Sequence, residues 1–249
     1  QGNTWKNVGW LNGDIEPCYI GSVAFDPQNP WVVHLGTEGA LYRSQDGGNT
    51  FELKYNDGFW GALAVAPSDP DIVYSARMSD HDTVDPVIFR SLNGGVFWSP
   101  VGSLPMGTHV IRLMVKPNDG AKLLAVSGYE KLMGSAQPLR GLFVSSDGGQ
   151  TWTDVHGDST SGGMTGNPWD AAYDPAHPDT IFATTVTGSG NPDVASTWSG
   201  STWRGTHGSG VWTQVSTHTG SIVARNRTGE VVTADVRRGG PGCSECRTW

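Results

Sequence analysis

Charged residues are scarce, with Asp, Glu, Lys and Arg making up only 16% of the chain, against about 25% in an ordinary soluble domain. Cations are the scarcer half: 16 Lys plus Arg against 24 Asp plus Glu leave a net charge of −8. Duplex nucleic acid and anionic membranes would repel such a chain on average, which argues against a basic-groove nucleic-acid binder. Long apolar runs are missing as well. The longest, such as Ala62 to Ala66, are about five residues, far short of the roughly 20 that a spanning helix needs. Cysteine is limited to Cys18, Cys243 and Cys246, one short of a tetrahedral zinc set without an added His. No metal or other cofactor is expected. The acidic cluster Asp80, His81, Asp82, Asp85 lacks the spacing of a calcium loop and reads as a solvated segment.

Glycine, by contrast, fills 35 of 249 positions, about twice its usual share. That composition suits a turn-rich all-β protein, and 249 residues suffice for a buried core without disulfide staples. Comparing the chain with itself gives the organisation. The octet Ser44-Gln45-Asp46-Gly47-Gly48-Asn49-Thr50-Phe51 returns as Ser91-Leu92-Asn93-Gly94-Gly95-Val96-Phe97-Trp98 and as Ser145-Ser146-Asp147-Gly148-Gly149-Gln150-Thr151-Trp152. A worn copy runs from Gly205 to Trp212, with His207 in place of the Asp, and partial copies lie at Gly2 to Trp5 and Arg247 to Trp249. The closing aromatics at 5, 51, 98, 152, 212 and 249 are 46, 47, 54, 60 and 37 residues apart. Such spacings bracket the ~40 to 50 residues of one four-stranded propeller blade.

Pro-containing turns at Asp26 to Pro30, Ala66 to Pro70, Lys116 to Gly120 and Asp174 to Pro178 recur in phase with the octets, each between β-type runs. The chain therefore reads as one domain over 1–249, an all-β propeller of four-stranded blades. Five units end near 51, 98, 152, 212 and 249, and residues 1–10 could complete the last blade, closing the ring. A segment of a larger propeller is the rival organisation.

The octets resemble the Asp-box, or BNR, motif Ser-x-Asp-x-Gly-x-Thr-Trp, matched throughout at 145–152 and, with Phe51 for Trp, at 44–51. That family includes sialidases, family-74 glycoside hydrolases acting on xyloglucan, sortilin-type receptors and photosystem assembly factors, so the resemblance implies architecture before activity. It makes Ser44, Asp46, Gly48, Phe51, Ser91, Asn93, Gly95, Trp98, Ser145, Asp147, Gly149 and Trp152 structural residues. A sialidase reading fails on the absence of an Arg-Ile-Pro segment.

With the innermost strand first in each blade, octets and Pro turns share one face, and the longer loops share the other, where binding is expected. That face would carry Trp10, Trp60, Trp169, Trp198, Tyr129, Asp80, Asp82, Asp170 and Asp193 as ligand-binding candidates. Indole faces stack on pyranose rings and carboxylates hold hydroxyls by charge-assisted hydrogen bonds, so a polysaccharide or other glycan is the expected partner. The alternative for Trp60 and Trp169 is packing. The stretch Gly36-Thr37-Glu38-Gly39-Ala40-Leu41-Tyr42-Arg43 is similar to the family-74 segment that carries one catalytic Asp. The resemblance makes Glu38 a catalytic candidate, with Glu where that family has Asp, for hydrolysis of a β-glucan or xyloglucan-type polymer.

The other reading is a non-catalytic interaction module with a protein partner. The acceptor triplet Asn226-Arg227-Thr228, and a bridge from Cys18 to Cys243 or Cys246 in a closed ring, would suit an extracellular or cell-surface location.

Overall fold

The computed structural model of the chain describes residues 20–78, 86–106, 108–127, 141–157, 162–187, 199–217, 221–223 and 232–234. Among these residues there is no helix; every regular element is a strand. The first sheet runs β1 (Ile20–Phe25), β2 (Val33–Thr37), β3 (Leu41–Ser44), β4 (Glu52–Tyr55) in spatial and chain order. The second repeats that order with β5 (Phe59–Val65), β6 (Val73–Met78), β7 (Val87–Ser91) and β8 (Ser99–Ser103). The third has β9 (Val110–Lys116), β10 (Asp119–Ser127), β11 (Gly141–Ser145) and β12 (Thr153–Asp154), and the fourth β13 (Asn167–Tyr173), β14 (Thr180–Thr187), β15 (Ser199–Thr206) and β16 (Trp212–Ser216). A two-stranded sheet, β17 (Ser221–Val223) with β18 (Val232–Ala234), follows. All pairings are antiparallel up-and-down meanders, and β1 lies beside β5, β5 beside β9 and β9 beside β13. Repeated four-stranded sheets stacked through their first strands make a β-propeller.

In the third blade both sheet faces are covered by neighbouring blades, which is why its middle strands read as unbroken apolar runs rather than alternating ones. In β10 and β11, Leu123 to Val126 and Leu142 to Val144 are all buried. One core cluster joins Ala62, Tyr74 and Ile88 of the second blade to Leu113, Leu123 and Phe143 of the third. The next joins Leu124, Leu142 and Val144 to Tyr173, Ile181 and Trp203 of the fourth. Both of these interiors are thus shared between two blades.

The octets are the turns between third and fourth strands. Ser44 Oγ donates to Asp46 Oδ1 (2.8 Å) and accepts from Gly48 N (2.8 Å), while Asp46 Oδ1 accepts from Thr50 N (2.9 Å). The third octet repeats this through Ser145, Asp147, Gly149 and Thr151, and the second through Ser91, Asn93, Gly95 and Phe97 N. Both glycines of each octet have positive φ, between 64° and 89°, which explains the Gly-Gly pair. Four hydrogen bonds of one kind tie octets to Pro turns: Gly47 N to Trp31 O, Gly94 N to Asp71 O, Gly148 N to Ala121 O and His207 N to Asp179 O. Octets and Pro turns therefore lie at one end of the strands, and the loops from second to third strands at the other.

Candidate functional site

At the loop end, the four innermost strands share an irregularity that periodicity did not reveal. Ile20 pairs with Thr37 but Ser22 with Gly36, leaving Gly21 as an extra residue. The same bulge leaves Gly61 extra between Trp60 and Ala62, Ile111 between Val110 and Arg112, and Trp169 between Pro168 and Asp170. Bulges bend a strand and re-aim side chains. A Cβ on Gly21 would collide with Trp60 O, so glycine is what lets the first two inner strands approach. In the third and fourth blades the bulged residues are large and partly exposed, Ile111 at 36% and Trp169 at 44%.

Directly after these two bulged residues, Arg112 and Asp170 form an ion pair between neighbouring inner strands, with the guanidinium Nη1 2.8 Å from Asp170 Oδ1 and 2.9 Å from Oδ2. Asp170 is buried and also accepts from Ala171 N (2.8 Å), whereas half of the Arg112 side chain faces solvent. A buried carboxylate thus fixes a guanidinium whose remaining N–H groups can serve a ligand. Arg112 was not a sequence candidate; only the register of the bulges aligns it with Asp170.

Two ligand candidates are corrected by burial. Trp60 is fully buried, with its ring edge-on to Tyr55 (5.5 Å between centroids, 86°) and Phe89 (5.0 Å, 77°). It packs with Leu41 and Leu63 and presents no face to a sugar. Asp170 is likewise closed to direct ligand contact at 3% exposure and acts through Arg112. Glu38 is exposed at the tip of the β2–β3 turn, whose geometry is set by Thr37: its Oγ1 accepts from Ala40 N (3.1 Å) and donates to Ala40 O (3.0 Å). Trp10, Trp198, Tyr129, Asp80, Asp82, Asp193, Cys18, Cys243 and Cys246 lie outside the described residues. No group of three or more His, Cys, Asp or Glu able to hold a metal occurs among the described residues.

At the opposite end the octet carboxylates are strongly acidic. Hydrogen bonds from Thr50 N, Thr50 Oγ1 and Ser44 Oγ hold Asp46 at about 2. Partial desolvation pushes Asp147 up, but hydrogen bonds from Thr151 and Ser145 outweigh it and also bring it to about 2. These carboxylates serve their own turns.

No protein-family model matches the chain. A xyloglucanase of Paenibacillus sp is 27% identical over 247 aligned residues, which cover 84% of this chain and 22% of that enzyme. Among solved structures, an ancestral GH74 enzyme superposes with a TM-score of 0.64 at 16% identity, over 88% of this chain and 29% of its own. The β-propeller domain of Myceliophteria thermophila Cps50 (Swd1) superposes at 0.57 with 9% identity, over 89% of this chain and 64% of that one. The chain spans less than a third of the length of the first two. In fold the chain is a β-propeller, similar to part of a GH74 enzyme.

Proposed function

We propose that the propeller recognises a polysaccharide of the β-glucan or xyloglucan type at the loop end of its inner strands. The observation that carries this reading is the half-exposed indole of Trp169 on a bulge, one residue from the buried Asp170 that fixes Arg112. A flat apolar ring beside preorganised donors matches a pyranose, whose C–H face stacks while its hydroxyls take hydrogen bonds. The similarity to a xyloglucanase supports the polymer class. Trp169 is the stacking platform and Arg112 the donor. The same reading places the chain outside the cell, where such polymers are met.

Hydrolysis would require Glu38 to work with a second carboxyl group, about 5 to 5.5 Å away for retention or 6.5 to 9.5 Å for inversion. Among the described residues at this end, Asp57 is engaged by Arg77 at 2.6 Å and Asp170 by Arg112. Binding is therefore the primary reading and Glu38 the candidate for any turnover. Native electrophoresis through gels containing xyloglucan, mixed-linkage glucan, mannan or no polymer tests both. Retardation without clearing is expected; a cleared zone that disappears in Glu38→Gln would add catalysis. Unchanged mobility in every polymer would overturn the glycan reading.

A further inference from the structure

At the octet end, the seam between the third and fourth blades is closed differently from the two before it. In those two, an arginine on the third strand of one blade lies against an octet glycine of the next: Arg43 Nη2 is 3.8 Å from where a Cβ of Gly94 would stand, and Arg90 Nη1 lies beside Gly148. The equivalent residue of the third blade, paired with Leu124 as Arg43 is with His34, is Val144. Nothing lies within 4 Å of a Cβ on Gly208, the corresponding glycine of the fourth octet. A histidine reaches back instead. His207, in the position of Asp46 and Asp147, brings Nδ1 to 2.7 Å from the Tyr173 hydroxyl and Nε2 to 3.2 Å from Ser146 Oγ of the third octet. Its ring stacks on Tyr173 with 6.0 Å between centroids, and its backbone N–H donates to Asp179 O.

We propose that His207 is an acid-released clasp: its neutral imidazole joins the third and fourth blades at the octet end, and protonation opens this edge of the seam while the rest of the propeller stays folded. A neutral imidazole has one N–H and one lone pair. The Ser145 backbone carbonyl accepts from the ring, which puts the hydrogen on Nε2 and leaves Nδ1 to accept from Tyr173 O–H. A proton on Nδ1 would point at that hydroxyl and turn the hydroxyl hydrogen into a buried site, since Tyr173 is 7% exposed. Burial opposes a positive charge on the ring most strongly, Lys122 of β10 and Lys116 of β9 add to it, and Asp119 of β10 offsets them only in part, so His207 is held below its ordinary 6.5. The other acids nearby are engaged: Asp179 by Lys116 at 2.5 Å, and Asp147 by Thr151 in its own turn. Because the folded value is the lower one, the clasp is at full strength above about pH 6.5 and weakens as pH falls.

Hydrogen exchange of the 249-residue chain, read by mass spectrometry at about pH 7.5 and about pH 5 and corrected for intrinsic rates, tests the clasp. Peptides covering 205–212 should lose protection on acidification, by up to about tenfold per pH unit below 6.5. His207→Asn keeps a polar side chain without a titrating group; it should fold and show no such acid loss in those peptides. Imidazole proton resonances of His207, assigned by their absence in that variant, should titrate with a midpoint below 6.5. Equal protection of 205–212 at both pH values, the same acid loss in His207→Asn, or a midpoint above 6.5 would overturn the proposal. None of these readouts depends on glycan binding.

Discussion

Gly95 of the second octet sits against the imidazole of His34 in the preceding blade, so closely that a Cβ on Gly95 would lie 2.6 Å from His34 Cε1. The octet turn of one blade thereby seals the sheet of the blade before it. One blade further on, Gly149, the counterpart of Gly95, stands against Ile88 and Val101, and Gly148 beside it meets Arg90 and Tyr74. Gly95→Ala meets two costs, the positive φ of 81° and this collision, whereas Gly208→Ala at φ 78° meets only the first because nothing lies within 4 Å. Chemical denaturation should show about 1–3 kcal/mol lost in Gly208→Ala, and more in Gly95→Ala. Equal losses would mean that the seam yields freely.

His34 makes the same seam sensitive to acid. Burial, helped by the Arg43 charge and only partly opposed by Asp26, lowers its pKa from 6.5 to about 4. Because the folded value is the lower one, the unfolded chain takes up the proton first as pH falls. This contribution is complete above about pH 6.5 and drains away towards pH 4, in total on the order of 3 kcal/mol. His34→Leu, which installs the residue found at the equivalent Leu124, should flatten the stability profile in that window; an unchanged slope would assign it to other groups.

The octet carboxylates act lower on the scale. With folded values near 2 against an ordinary 3.8, Asp46 and Asp147 contribute stability above about pH 4 that is lost as pH falls towards 2. Asp147→Asn copies Asn93 of the second octet. It should cost roughly 1 kcal/mol at pH 7 after solvent screening, and much less at pH 2, as read by urea titration at both pH values.

The two tryptophans of the inner strands should separate cleanly. Trp60→Ala empties a fully buried site and should lose about 3–5 kcal/mol of stability. Trp169→Ala should leave the thermal midpoint within a few degrees and abolish retardation by the polymer that binds best. Loss of fold in both, or binding unaffected by Trp169→Ala, would remove the stacking role.

The Arg112–Asp170 pair is asymmetric in burial, and its variants should be too. Arg112→Met strands a buried carboxylate and should cost about 3 kcal/mol. Asp170→Asn leaves a half-exposed guanidinium that water can solvate, so its stability loss should be smaller while glycan affinity still falls. Thermal denaturation and affinity electrophoresis of both variants measure the two effects.

The sequence by itself determined the repeat. Gly47-Gly48, Gly94-Gly95 and Gly148-Gly149 declare a turn that only positive φ can make, and their spacing with the Pro turns marks four-stranded blades because each turn must recur once per sheet. It also assigned Asp46 and Asp147 to their own turns, since their partners lie within four residues. Tertiary structure alone decided which tryptophan faces solvent. Trp60 and Trp169 both stand at the start of an inner strand, yet Trp60 precedes the bulge while Trp169 is the bulged residue. One residue of register sends a side chain to the other side of a strand, and that register is written in the pairing with the neighbouring strand rather than in the local sequence. The same non-local register brought Arg112 to Asp170, 58 residues away, and made a donor of a residue that no motif had marked.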